Sequence, residues 1–212
     1  MIYKIYIIDG NNGISILESS FKEFENKEAG KQILPNFFKI LNDTIDKIQE
    51  AVSKGKAEEI SRIIEAEDSV IIIYFHPSSE VLFCSISDAD DDIDKLKGAI
   101  KKISNRFWKK HQSDLKIFRS TSKKGKFQTL NADIEIITMG GRIAEVFPKL
   151  LVVKKVLEKI FTMGTISEFD YQIALQCNGK NSPLNISRIF EKNRYEIYEV
   201  LNKLERLDII KL

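Results

Sequence analysis

Ser69-Val-Ile-Ile-Ile-Tyr-Phe-His76 is a continuous apolar run, rich in β-branched and aromatic residues, in the first half of the chain. Such a run is typical of a strand that is buried on both of its faces. Pro77-Ser-Ser79 ends it, because proline cannot extend a strand ladder and serine favours turns. Glu80-Val-Leu-Phe-Cys-Ser-Ile-Ser87 follows at the distance of a hairpin partner. The stretch therefore predicts two neighbouring antiparallel strands.

An amphipathic helix is predicted directly after this hairpin. Its apolar stripe has spacings of three and four residues and consists of Ile93, Leu96, Ile100, Ile103 and Phe107. Carboxylates stabilise the positive end of a helix, and five stand here: Asp88, Asp90, Asp91, Asp92 and Asp94. A divalent cation is the alternative for them, but the spaced acidic pattern and distal Glu of a calcium loop are missing. We expect the helix to end near His111.

The composition is that of an ordinary globular protein, with 212 residues, 43% of them hydrophobic and 30% charged. The net charge of +2 is too balanced to predict nucleic-acid or anionic-membrane binding from charge alone.

The two cysteines, Cys84 and Cys177, are expected to be reduced thiols. No apolar run has the length of a membrane span, and the N-terminus does not resemble a signal peptide. We expect a cytoplasmic protein, and its many Ile and Lys residues suit an archaeal or other AT-rich genome.

The N-terminal part predicts a hairpin and then a helix. The strands Ile2–Ile8 and Ile14–Phe21 flank a turn of residues that tolerate positive φ. Residues 22–34 are charged and predict a loop with a break at Gly30. Pro35 suits the first turn of a helix. The apolar face of that helix is predicted to consist of Phe38, Leu41, Ile45, Ile48 and Val52, with Gly55 as its end.

Further elements complete the first part of the chain. Residues 59–67 predict a short strand that leads into the central hairpin. Asp114 to Lys126 is polar and basic and predicts a loop. A helical stripe from Phe127 to Ile137 stops at the Gly140-Gly141 pair. Residues 142–148 read as an extended connector before Pro148, so we place the domain boundary there.

The remaining residues predict a small helical domain, 149–212. One helix spans Leu150 to Phe161, and Ser167 is the expected N-cap of a second helix, Glu168–Cys177. Two further helices, Leu184–Phe190 and Tyr195–Leu207, precede a short strand at Ile209–Leu212.

Residues 1–141 resemble a longin domain. The order of their elements is strand, strand, helix, three strands and two helices. The likeness rests on the N-terminal hairpin, on Leu82-Phe-Cys-Ser-Ile-Ser-Asp88 and on the following helix with Phe107-Trp-Lys-Lys110. His111 departs from the family, which often has an aromatic residue there. The resemblance implies an α+β fold, a five-stranded antiparallel sheet with one helix on one face and two on the other. Longin proteins include trafficking SNAREs, adaptor small subunits and the signal recognition particle receptor.

Residues 149–212 resemble a winged-helix domain. The likeness rests on a helix at Asn185–Phe190, the turn Glu191–Arg194, the helix Tyr195–Leu207 and the terminal Asp208–Leu212. The wing is expected to be missing or minimal, because its hairpin would follow Leu212. A longin domain followed by winged-helix elements also occurs in regulators of Rag-type GTPases.

The resemblance implies protein binding without catalysis. In longin proteins the groove between the first helix and the third strand receives a partner segment or a GTPase. The residues that match this groove are Phe37, Ile40 and Thr44. The expected partner is a small Ras-like GTPase or another longin or roadblock protein, in a trafficking-like process. A homodimer formed through a free sheet edge is a further expectation.

The alternative function is that of a DNA-binding transcriptional regulator, with the first domain as sensor or dimeriser. The residues that would contact DNA are Lys192, Arg194, Asn202, Lys203 and Arg206. Glu196, Glu199 and Glu205 share the same surface and repel phosphates, which favours a protein-binding role.

The sequence predicts no catalytic, metal or cofactor site. His76 and His111 are the only histidines, and neither has cysteine or histidine neighbours at zinc-ligand spacing. A Cys84–His76 pair across the hairpin is conceivable, but Cys84 stands among large apolar residues and reads as buried. The glycine-containing turns lack the Gly-Lys-Ser/Thr ending of a phosphate-binding loop.

Overall fold

The computed structural model describes residues 1–22, 27–53, 59–66 and 68–212 of the chain. These residues form two compact units, Met1–Ala144 and Glu145–Leu212. The first unit is an α+β structure around one antiparallel sheet, and the second is mainly helical. Of the described helices, none combines the length and the apolar character needed to cross a membrane.

The sheet of the first unit has five strands in the order β2-β1-β5-β4-β3, and every neighbouring pair is antiparallel. The strands are β1 (Ile2–Asp9), β2 (Ser15–Ser20), β3 (Ile60–Glu65), β4 (Ser69–His76) and β5 (Val81–Asp88). The predicted hairpin of two buried strands is confirmed as β4 and β5. They pair from Ser69 opposite Asp88 to His76 opposite Val81. The edge strands of the sheet are β2 and β3.

The sheet is covered by helices on both faces, which is why β4 is apolar without interruption from Val70 to Phe75. Val70, Ile72 and Tyr74 face one core, and Ile71 and Ile73 face the other, because successive side chains of a strand alternate. The first core is shared with α2 (Ile93–Thr121), with a 3-10 turn at Gly125–Thr129 and with α3 (Leu130–Thr138). The second core is shared with α1 (Lys27–Ser53). The predicted fold class is confirmed: a five-stranded antiparallel sheet flanked by helices.

The first helix starts earlier than the sequence predicted. Residues 27–34, predicted as a loop with a break at Gly30, belong to α1, and Pro35 lies inside the helix. The upstream turn forms because Ile33 and Leu34 pack on the second core. Gly55, the predicted end of this helix, lies outside the described residues.

The predicted face of α1 is wrong at its two phenylalanines. Phe37 is fully buried and stacks on Tyr6 with ring centroids 5.1 Å apart, whereas Phe38 is 46% exposed. Phe37, Leu41, Ile45 and Ile48 are separated by three or four residues and all contact the sheet. Because Phe37 belongs to this stripe, its neighbour Phe38 turns toward solvent.

The helix α2 does not end at His111. It bends there, where His111 has φ −124° and ψ 19°, and continues to Thr121. The predicted loop at 114–126 was wrong for its first half, because Leu115 and Phe118 extend the apolar stripe into the core.

The Cγ of Phe21 would lie 2.8 Å from a Cβ at Gly141, so the turn after α3 needs this glycine.

The second unit contains four helices among its described residues: α4 (Lys154–Thr162), α5 (Glu168–Gln176), α6 (Pro183–Ile189) and α7 (Arg194–Arg206). The predicted N-cap Ser167 is confirmed, and it forms a reciprocal capping box with Asp170. The predicted helical start at Leu150 was wrong. Lys149–Leu150 is a short strand, β6, that pairs with β7 (Ile210–Lys211), and the following Leu151 amide donates to the Ile209 carbonyl at 2.9 Å.

Candidate functional site

The edge strand β3 separates two concave surfaces of the first unit. Its residues alternate between half-buried Ile60, Arg62 and Ile64 and exposed Ser61, Ile63 and Glu65. Ile60 and Ile64 pack on the α1 side of the sheet. Ser61 and Ile63 line the pocket on the α2 side. β3 pairs with β4 along one side, and no described strand pairs with its other side. Such an edge offers main-chain donors and acceptors to an additional strand.

The surface on the α1 side is a groove of about 310 Å³ between this helix and β3, and we call it the α1 groove. Its lining combines four isoleucines with small and charged residues: Ile33, Lys39, Ile40, Asp43, Ile64, Ala66, Ser69 and Ile71. Lys39 and Asp43 are exposed at its rim. An apolar floor with a few polar groups around it is the common character of a binding groove. The α1 groove therefore suits an apolar side chain of a partner segment.

The three predicted partner contacts lie at different depths. Ile40 lines the α1 groove. Phe37 is fully buried and stacks on Tyr6 of β1, so it belongs to the core and not to the lining of the groove. Thr44 is buried as well, and its hydroxyl donates to the Ile40 carbonyl at 2.7 Å and accepts from Arg62 Nη1 at 3.2 Å. Thr44 thereby ties α1 to β3 and fixes one wall of the groove.

The surface on the α2 side is a pocket of about 430 Å³ with an apolar floor that includes Ile63, Ile72 and Ile100. Lys101 Nζ lies 3.2 Å from Glu59 Oε1 at its rim, and this hydrogen bond raises the pKa of Lys101. Burial and the nearby Glu59 carboxylate raise the pKa of Tyr74, which therefore stays a neutral phenol at physiological pH. The charges of Lys101 and Glu59 at the rim compensate each other, so the pocket favours an apolar group.

The acidic run before α2 acts as the start of the helix. Asp92 is the N-cap, and its carboxylate accepts from the amides of Asp94 and Lys95 at 3.0 Å each. The hydrogen bond from the Lys95 amide lowers the pKa of Asp92, because it stabilises the charged form. Asp91 binds the N-terminal ammonium of Met1. Among the described residues, no three His, Cys, Asp or Glu side chains come together as a metal site.

An ion pair that the sequence did not reveal connects three elements at one end of the sheet. Asp9, at the end of β1, is fully buried. It accepts from Arg119 of α2 at 2.7 Å from Nη2 and at 3.1 Å from Nε. Arg119 also donates to the Ser79 carbonyl in the turn between β4 and β5 and pairs with Glu80 at 3.3 Å. Arg119 lies in the polar and basic stretch 114–126, and the contact with Asp9 spans 110 residues, so no local pattern indicates it.

The histidines and cysteines are separate from one another. His76 Nδ1 lies 2.9 Å from Ser79 Oγ, and burial lowers the pKa of His76. Cys84 is opposite Ile73 in the sheet, whereas His76 is opposite Val81, so the conceivable Cys84–His76 pair is not formed. Burial raises the pKa of Cys84 and raises that of Cys177 to about 12. Both thiols therefore stay protonated and unreactive.

The residues proposed to contact DNA lie on and before α7, and several have partners within the unit. Lys192 pairs with Glu196 at 3.4 Å. Arg194 is buried against the rings of Tyr195 and Tyr198. Lys203 Nζ lies 2.5 Å from Asp170 Oδ2. The other two proposed contacts, Asn202 and Arg206, are exposed.

No protein-family model matches this chain, and no curated protein matches it.

Proposed function

We propose that this chain is a non-enzymatic adaptor or regulator that binds a protein partner at β3 and the α1 groove. The observation that carries the proposal is the combination of an edge strand and an apolar groove along the same element. An extended partner segment would add its main chain to β3 and place an apolar side chain between Ile40 and Ile64. Main-chain hydrogen bonds would supply affinity, and the groove would supply selectivity.

The partner class comes from the longin resemblance. The sheet order, with α1 on one face and α2 and α3 on the other, agrees with the architecture that the resemblance implies. On this basis the expected partner is a small Ras-like GTPase or another longin or roadblock protein in a trafficking-like process.

The test is affinity capture from the source cell with the whole chain as bait. A Lys39→Glu/Asp43→Lys variant exchanges the charges at the rim of the α1 groove without touching the core. Asp46→Lys/Lys47→Glu makes the same change at exposed positions of the same helix and serves as the matched control. We expect a partner that the control retains and the rim variant loses. Equal capture by all three proteins would refute binding at this groove.

Nucleotide dependence identifies the partner class. If the captured protein is a small GTPase, its retention will differ between loading with GDP and with a non-hydrolysable GTP analogue, because the switch segments differ between these states. A captured protein that is itself a longin or roadblock protein, retained equally in both nucleotide states, supports the other expected partner class.

A DNA-binding regulator is the second candidate, since α6, a short turn and α7 follow one another as in a helix–turn–helix unit. Glu196, Glu199 and Glu205 on α7 are exposed, and they oppose a phosphate backbone. Fluorescence anisotropy with mixed duplex DNA at two salt concentrations decides between the candidates. Tight binding that weakens steeply with salt would favour the regulator.

A further inference from the structure

An exposed apolar ridge runs along α4 in the second unit. Leu151 is 55% exposed, Val153 68%, Val156 43% and Met163 79%. Val153, Val156 and Met163, together with the half-buried Ile160, are spaced by three or four residues and therefore lie on one side of the helix. We call these four residues, Val153, Val156, Ile160 and Met163, the α4 ridge, whereas Leu151 stands before the helix. Leu157, in contrast, is fully buried and holds α4 on its own unit.

Three lysines lie on the same helix as the α4 ridge. Lys154, Lys155 and Lys159 are exposed on the same helix, against the single acidic residue Glu158. In the part of the chain that the structure describes, no carboxylate pairs with any of these three lysines. Lys155 and Lys159 are four residues apart, next to Val156 and Met163 in the helical projection. The helix therefore presents large apolar side chains beside positive charges that are not neutralised.

We infer that α4 binds the surface of an anionic membrane. The ridge is the exposed side of a helix and offers no groove to a partner's side chains, so it suits a soft, deformable surface. The apolar side chains would enter the boundary between headgroups and acyl chains, and the lysine stems would extend toward lipid phosphates. Unpaired lysines select a negatively charged surface. The α4 ridge belongs to the second unit and the α1 groove to the first, so the inference does not depend on the proposed partner.

Binding is expected to be reversible and sensitive to salt. The ridge is short, and exposed charges are screened within about 8 Å at physiological ionic strength. An interfacial helix of this kind attaches a protein to a membrane without spanning it.

The test is co-sedimentation of the whole chain with vesicles of phosphatidylcholine, alone or with phosphatidylserine added. We expect binding only to the anionic vesicles. Lys155→Gln/Lys159→Gln is expected to weaken the binding by about 30-fold, since each lysine near an anionic surface contributes roughly 1 kcal/mol. Val153→Ser/Met163→Ser is expected to weaken it as well, and both pairs are exposed, so the fold is preserved.

Matched controls come from exposed positions elsewhere. Ile136→Ser/Met139→Ser removes two exposed apolar side chains of the first unit, and Lys180→Gln/Lys211→Gln removes two other lysines of the second. Both controls should bind like the wild type. The inference is overturned by absence of binding to anionic vesicles, or by equal losses in the α4 and control variants. Self-association without lipid that Val153→Ser/Met163→Ser abolishes would instead assign the ridge to a second copy of the chain.

Discussion

Asp9 shows how a single buried carboxylate holds several elements in place. It has no solvent contact, and its charge is compensated by Arg119. The same guanidinium reaches the turn between β4 and β5, where Glu80 has a positive φ of 54°. The Gly10 amide donates to the Glu80 carbonyl at 2.8 Å, and a Cβ at Gly10 would lie 2.7 Å from that oxygen. The end of the sheet therefore depends on this pair and on a glycine at position 10.

Removing Arg119 should destabilise the protein strongly. Arg119→Ala leaves the buried charge of Asp9 without a partner, which costs about 3 kcal/mol of unfolding free energy. Lys116→Ala, on an exposed position of the same helix, should change stability by less than about 0.5 kcal/mol. Urea denaturation measures both variants. Similar small losses in the two variants would show that the pair contributes little.

The Asp170–Lys203 pair gives a prediction for pH dependence. Burial raises the pKa of Asp170, but the hydrogen bonds from Lys203 and from the Ser167 amide outweigh it, so the folded-state pKa is below the usual value. A depressed carboxylate pKa stabilises the fold above the unfolded-state pKa, and this contribution disappears as pH falls through the lower folded-state value.

Lys203→Met should therefore be destabilising at neutral pH and progressively less so in acid, below pH about 4. We expect a loss of about 1 kcal/mol at pH 7, because Lys203 is half-exposed and solvent weakens the pair. Denaturation curves across this pH range test it, with Lys180→Met as the control. A loss that stays constant with pH would contradict the assignment.

At the scale of the element, α1 contains a proline that destabilises the helix. Pro35 lies inside the helix, lacks an amide hydrogen and leaves the carbonyl four residues earlier without its helical bond. Its side chain is exposed, so replacing it removes no packing. Pro35→Ala should stabilise the protein by about 1–3 kcal/mol. Thermal unfolding tests this, with Lys47→Ala as the control. A lower melting temperature for Pro35→Ala would show that proline is needed at this position.

The elements also show where sequence reasoning is reliable. The strands β4 and β5 were predicted almost to the residue, because an uninterrupted apolar run bounded by Pro77 has few other interpretations. The start of α1 was missed, because Pro35 satisfies the rule for a first turn while Ile33 and Leu34 already pack on the sheet. The continuation of α2 was not predicted, because the charged residues Asp114, Lys116 and Arg119 around Leu115 and Phe118 obscured the apolar stripe. Tertiary packing, which a local pattern does not contain, decided both cases.

At the scale of the molecule, the sequence indicated the class of the sheet but not its binding edge. Edge position depends on which distant strands pair, and β4 lies between β5 and β3 only in the folded unit. A signal was present, since Ser61, Arg62 and Glu65 make β3 more polar than β4, as edge strands commonly are. Of the predicted partner contacts, Ile40 lines the α1 groove, Thr44 ties α1 to β3, and Phe37 belongs to the core. When the predicted face of a helix is wrong by one residue, a residue predicted to contact a partner turns out to belong to the core.

The most direct test of protein binding at β3 and the α1 groove is site-specific photo-crosslinking in the source cell. A photoreactive amino acid at Lys39, on the rim of the groove, is compared with the same amino acid at Lys47, an exposed position on the same helix outside the groove lining. We predict a single protein partner crosslinked from position 39, lost when excess wild-type protein competes, and little product from position 47. The same products from both positions, or none from position 39, would contradict the account.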